Sequence, residues 1–176
     1  MKSNGSLRTQ VKIPIVKYRG FFTFIVTIFF LMNCSNDVAN MNDDNLVSDK
    51  PVANVISVSV KGNPNAYTFS VEIQSPDTGC NQYADWWEVL SEEGALIYRR
   101  ILTHSHVNEQ PFIRSGSPVP IEANHVVYIR GHMHPGGYGG NVLKGSVIDG
   151  FQNTSVRSDF ASEVENEDPQ PDDCAF

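Results

Sequence analysis

Four of the five histidines in the chain come as two His-x-His pairs, His104-Ser105-His106 and His132-Met133-His134, with His125 between them. In extended chain, residues i and i+2 project to the same face, so each pair aims two imidazoles one way. Neutral imidazole binds zinc, copper or nickel. The spacing therefore points to a copper or zinc site built from His104, His106, His132 and His134. A blander reading stands beside it. Histidines at strand ends often hydrogen-bond loop carbonyls, with His104 ordering the loop that follows and His132 stacking on Tyr138. The chain holds no Cys-x-x-Cys and no His-Glu-x-x-His, so none of the specific zinc signatures decides between them.

Other residue types offer binding chemistry. Arg99, Arg100, Arg114 and Arg130 suit an anionic ligand through bidentate contacts, or they pair with Glu72, Glu88 and other acids on sheet surfaces. Trp86, Trp87, Tyr83, Tyr98 and Tyr138 offer an aromatic platform for a sugar or a partner. Tyr138, Arg114 and Arg130 are the candidates for metal-free recognition of a glycan or protein. Gly136-Gly137-Tyr138-Gly139-Gly140 lacks the Lys-Ser/Thr of a phosphate loop and reads as a loop of the kind that carries binding. Glu109 or Asp85 beside a histidine would make an acid/base pair. Gly-x-Ser-x-Gly is absent, and no nucleophile is legible, so a binding protein is favoured over an enzyme.

The elements that must position these residues read as short strands. Residues 55–60, 67–74, 85–90, 95–103, about 112–121, 125–134 and 142–151 carry the apolar content between turn signals. The clearest is 67–74, where Tyr67, Phe69, Val71 and Ile73 alternate with Thr68, Ser70, Glu72 and Gln74. In 125–134, Val127, Ile129 and Met133 share one face and Tyr128, Arg130, His132 and His134 the other. No segment has helical periodicity of useful length. The fold class expected is all-β, a single antiparallel β-sandwich.

This strand order resembles an immunoglobulin or fibronectin type III sandwich, with Trp86 or Trp87 at the core tryptophan position of the third strand. The resemblance implies that the fourth and sixth strands both run antiparallel to the third and finish at one pole. Both His-x-His pairs and the Cys80 loop then meet there, and His125 sits at the other pole. The third strand intervenes, which sets the fourth and sixth strands roughly 10 Å apart. Residues 104–106 must lean inward to share one ion with the other pair.

The start of the chain has a different character. Residues 21–33, FFTFIVTIFFLMN, follow Lys17 and Arg19, and the run is shorter than the roughly 20 residues a spanning helix needs. It reads as a secretory signal. Leu31-Met32-Asn33-Cys34 resembles a bacterial lipobox, departing from it at Asn33, where Gly, Ala or Ser is usual; the looser lipoboxes of Bacteroidota accept such a change. The resemblance implies that Cys34 is lipidated and becomes the mature N-terminus. It implies a lipid-anchored cell-envelope protein, at the outer membrane or surface of a diderm bacterium, or otherwise a secreted one. Its partners would be the membrane and an envelope ligand or protein.

Cysteine arithmetic agrees. With lipid on Cys34, Cys80 and Cys174 remain, and an oxidising compartment lets them pair. The expected organisation is a signal peptide over 1–33, a polar tether over 34–53, the sandwich over 54–157 and an acidic tail over 158–176 fixed by that disulfide. Five of the 13 basic residues precede the first acid, Asp37, leaving 8 against 20 acidic residues from Cys34 onward. Such a surface repels phosphate backbones and disfavours nucleic acid as a partner.

Overall fold

A computed structural model describes residues 50–175. The signal peptide 1–33, the lipidation site Cys34 and nearly all of the tether lie outside the described residues. Among the described residues, no helix is long and apolar enough to cross a membrane.

Among the described residues eight strands follow one another: β1 (Asn54–Lys61), β2 (Tyr67–Gln74), β3 (Tyr83–Leu90), β4 (Leu96–Ile101), β5 (Phe112–Val119), β6 (Val127–His134), β7 (Val142–Ser146) and β8 (Gly150–Thr154). They form two antiparallel sheets, one ordered β1-β2-β5 and the other β4-β3-β6-β7-β8. The fold is the all-β sandwich that the alternation of apolar residues requires. Phe69, Val71 and Ile73 of β2 meet Trp87 and Val89 of β3 and Val127, Ile129 and Met133 of β6 in one core. Trp87 is therefore the core tryptophan, fully buried, and β3 lies between β4 and β6 as the strand order implied.

Two sequence expectations need correction. Residues 142–151 do not form one strand. Ser146 Oγ accepts the Asp149 amide at 3.1 Å and bonds Asp149 Oδ2 at 2.7 Å, and Gly150 takes φ 80°. That turn divides the run into the β7–β8 hairpin. The sixth strand starts at Val127 and not at His125, whose amide closes a turn onto the Glu122 carbonyl at 3.1 Å.

The third strand is buried along both faces. A register shift between Ala84 and Trp86 turns Ala84, Trp87 and Val89 into the core. Trp86, Glu88 and Leu90 face away from it. The covering layer over that outer face is the C-terminal tail. Its short 3-10 helix, Ser162–Asn166, buries Val164, and Ala161 and Val164 pack on Leu90 beside Leu96, Tyr128, Tyr138 and Phe160. A disulfide between Cys80 and Cys174 fixes the far end, and the Ala175 amide donates to the Thr103 carbonyl. The acidic tail is thus a strap laid across the five-stranded sheet.

Candidate functional site

Beneath the strap, polar chemistry is concentrated around Glu88, which is fully buried. Its Oε1 accepts Arg130 Nε at 2.8 Å. Its Oε2 accepts Arg99 Nη2 at 2.8 Å, Arg99 Nε at 2.9 Å and Trp86 Nε1 at 3.1 Å. One carboxylate thus serves two guanidiniums from the strands on either side of β3. Other guanidinium donors go to the strap. Arg99 reaches the carbonyls of Val164 (2.6 Å), Glu167 (2.5 Å) and Pro169 (3.1 Å). Arg130 reaches those of Phe160 (2.7 Å) and Ala161 (2.8 Å). Arg130 also lies 3.5 Å from the Tyr138 ring centroid. Burial, then the Glu88 carboxylate, raises the Tyr138 phenol well above its ordinary range.

These contacts relocate three residues expected to bind a ligand. Arg130 is buried and its donors are directed to Glu88 and the strap, so it presents no free fork to an anion. Tyr138 is half-buried, lies beneath that guanidinium and meets His132 edge-on. Arg114 is held by Glu109, with both nitrogens bonded (2.8 and 3.1 Å), and this bond keeps the Glu109 carboxyl below its ordinary value.

The histidine pairs separate into two clefts. His132 is buried, stacked face to face on Trp86 with ring centroids 3.6 Å apart. Its Nδ1 bonds Asp85 Oδ1 at 2.6 Å and its Nε2 bonds Glu165 Oε1 of the strap at 3.2 Å. His134 is exposed beside Tyr83. Both line a cleft of about 580 Å³ where the strap returns to the sheet, together with Asn81, Asp85, Glu165, Gln170 and Asp173. Burial, then Asp85, Asp173 and Asp77, raises the Tyr83 phenol.

His104 and His106 line a smaller cleft of about 350 Å³. The loop after β4 turns His106 inward, flat on Phe112 with ring centroids 3.8 Å apart. His104 stays exposed, its ring centroid 4.6 Å from that of His106. Asp77 and Gln110 hold this loop. Asp77 accepts the His106 amide (2.8 Å), the Ala84 amide (3.0 Å) and Ser75 Oγ (2.7 Å). Gln110 donates to the His106 carbonyl at 3.2 Å. Both His106 ring nitrogens and Ser105 Oγ are buried without a hydrogen-bond partner. Burial, with Arg114 and His104 adding to it and Asp77 and Glu109 opposing, lowers the His106 pKa to about 4, so the ring is neutral at neutral pH.

The four imidazoles therefore do not converge: His132 and His134 line one cleft, and His104 and His106 line another. Among the described residues, no group of three or more His, Cys, Asp or Glu side chains is placed to hold a metal ion. The physical cause is the intervening β3, together with a loop that turns His106 onto Phe112. His125 is exposed, apart from both clefts. Sequence reasoning named Glu88 only as a surface partner for arginines and passed over Asp77, Gln110 and Glu165. The signals for Glu88 were its charge, complementary to the arginines, and its place in a strand two residues from Trp86.

The geometry defines an all-β sandwich with a strapped outer face. No family model matches the chain, and no solved structure matches it. One curated protein does, named "Putative lipoprotein", from Halomicrobium mukohataei, 38% identical over 92 residues. The match covers 52% of this chain and 45% of that protein, so the chain spans less than half of its relative's length.

Proposed function

We propose that this chain is an exported, lipid-anchored cell-envelope protein whose sandwich is a binding module. The observation that carries this reading is the division of labour among its three cysteines. Cys80 and Cys174 are bonded to each other, as suits an oxidising compartment. Cys34 is left over, directly after the apolar run and the lipobox-like Leu31-Met32-Asn33. The name of the Halomicrobium mukohataei relative supports the same class. Metabolic labelling with a palmitate analogue tests it. Label should enter the membrane-bound wild-type protein and be absent from Cys34→Ala. An unlabelled wild-type protein, or equal label in both, rejects lipidation.

The ligand surface in this reading is the cleft of about 580 Å³ at the strap. Asn81, Asp85, Glu165, Asn166, Gln170 and Asp173 line it, which is amide and carboxylate chemistry suited to neighbouring hydroxyl groups. A hydroxyl-rich saccharide of the envelope is the ligand class this favours. Titration of the full chain with envelope oligosaccharides checks it. Binding weakened by Asn81→Ala and Asp173→Ala is expected, and binding unchanged in both removes this cleft from the proposal. In a diderm host the anchor would lie in the outer membrane or at the cell surface, which protease shaving of intact cells distinguishes.

A further inference from the structure

We propose that His104 and His106 form a two-imidazole site for a transition-metal ion of the copper–zinc class. This site is separate from the saccharide cleft and does not depend on the lipid anchor. It is also distinct from the four-histidine arrangement, since neither His132 nor His134 belongs to it.

The first support is an imbalance at His106. A neutral imidazole carries one donor and one acceptor. The side chain of His106 is only 1% exposed, yet neither ring nitrogen has a hydrogen-bond partner, and the neighbouring Ser105 Oγ is in the same condition. Buried polar groups are almost always satisfied, so these atoms call for partners: Asp77 is within reach of Nδ1, which leaves Nε2 and Ser105 Oγ for a group beyond the protein's own. All three belong to residues lining one cleft with His104.

The second support is the outer partner. Asp77 Oδ2 stands 3.8 Å from His106 Nδ1. A small ring movement makes Nδ1–H donate to that carboxylate and leaves Nε2 as a lone pair. A carboxylate behind a histidine is the arrangement that orients imidazole toward a metal and raises its basicity. Asp77 is itself fixed by the Ala84 and His106 amides and by Ser75 Oγ, so it does not swing away. His104 supplies the second imidazole. It is exposed, and its ring centroid is already 4.6 Å from that of His106. The remaining coordination positions face the cleft and belong to water, because Glu109 is bound to Arg114. Imidazole nitrogen with water suits zinc and copper and is poor for calcium or magnesium.

Calorimetric titration of the full chain, prepared without a histidine tag, with zinc chloride at neutral pH tests this. One equivalent should bind, with a Kd on the order of micromolar or tighter. His104→Ala changes an exposed side chain and should keep the fold while weakening that binding at least about tenfold. His106→Gln should do the same wherever its thermal unfolding shows it folded. His134→Ala, in the other cleft, should bind zinc as the wild type does. No binding, binding unaffected by His104→Ala, or binding lost in His134→Ala each overturns the site, and saccharide binding and lipidation would be untouched by any of these results.

Discussion

His132 lies flat on Trp86, with ring centroids 3.6 Å apart and planes only 5° from parallel. The two are cross-strand partners of β6 and β3, and Asp85 fixes the ring through Nδ1 at 2.6 Å. This histidine is packing and hydrogen bonding in the first instance. His132→Ala removes the stack and leaves the buried Asp85 carboxylate short of a partner. A loss of about 2–3 kcal/mol is expected from those two effects. Urea denaturation of the two proteins checks it. A midpoint unchanged by the substitution would show that the stack and the bond contribute nothing net.

Glu88 joins the sheet to the strap through Arg99 and Arg130. Taking two charges out of water is costly, and the cost is recovered only while each buried ion keeps its partners. Glu88→Ala leaves two buried guanidiniums without their carboxylate. It should destabilise the fold by about 3–5 kcal/mol and loosen the strap, because the same guanidiniums hold the carbonyls between Phe160 and Pro169. Denaturant midpoints report the first effect, and amide exchange over residues 160–169 reports the second. A variant as stable and as well protected as the wild type would refute the role of Glu88.

The same interior explains what the sequence could and could not reveal. Alternation was legible at 67–74 and at 127–134, because the apolar side chains there fall on a single face. Along 83–90 it was not, since the bulge at Ala84–Trp86 shifts the phase and the strap buries the outer face as well. Pairing of arginines with Glu88 was visible as charge complementarity, but its burial was not. The anchors of the strap are backbone carbonyls, which leave no mark in a side-chain pattern. The acidic tail therefore reads as a solvated segment except at Cys174. The His-x-His spacing correctly marks two local pairs. Their failure to converge depends on how the loop at 104–110 turns, and that is set by Asp77 and Gln110 bonding to its backbone.

The two buried phenols predict an alkaline limit to stability. Burial, then Glu88, holds the Tyr138 pKa above its ordinary value, and burial with Asp85, Asp173 and Asp77 does the same at Tyr83. An acid whose folded pKa is raised keeps its full contribution below the unfolded value, near about 10, and loses it as pH rises further. Stability should thus be flat with respect to these groups at neutral pH and fall above that value. These two tyrosines should ionise late in an ultraviolet titration, together with unfolding. Tyr138→Phe should shift the alkaline unfolding midpoint upward. A midpoint that stays in place would assign the alkaline limit to other groups.

Breaking the disulfide should release only part of the strap. Cys80 and Cys174 are 94 residues apart in sequence, and loss of a native bridge over a loop of that size costs about 2–5 kcal/mol. The guanidinium bonds from Arg99 and Arg130 reach no further than Pro169, so in Cys174→Ser the stretch from Gln170 onward loses its main tether while 160–169 stays bound. Denaturant titration should show the lost stability. Limited proteolysis should cut the variant after Pro169 and leave a resistant body that still contains the 3-10 helix. If cleavage instead removes the chain from about Ser158, the ionic anchors depend on the disulfide, and the strap opens as one unit.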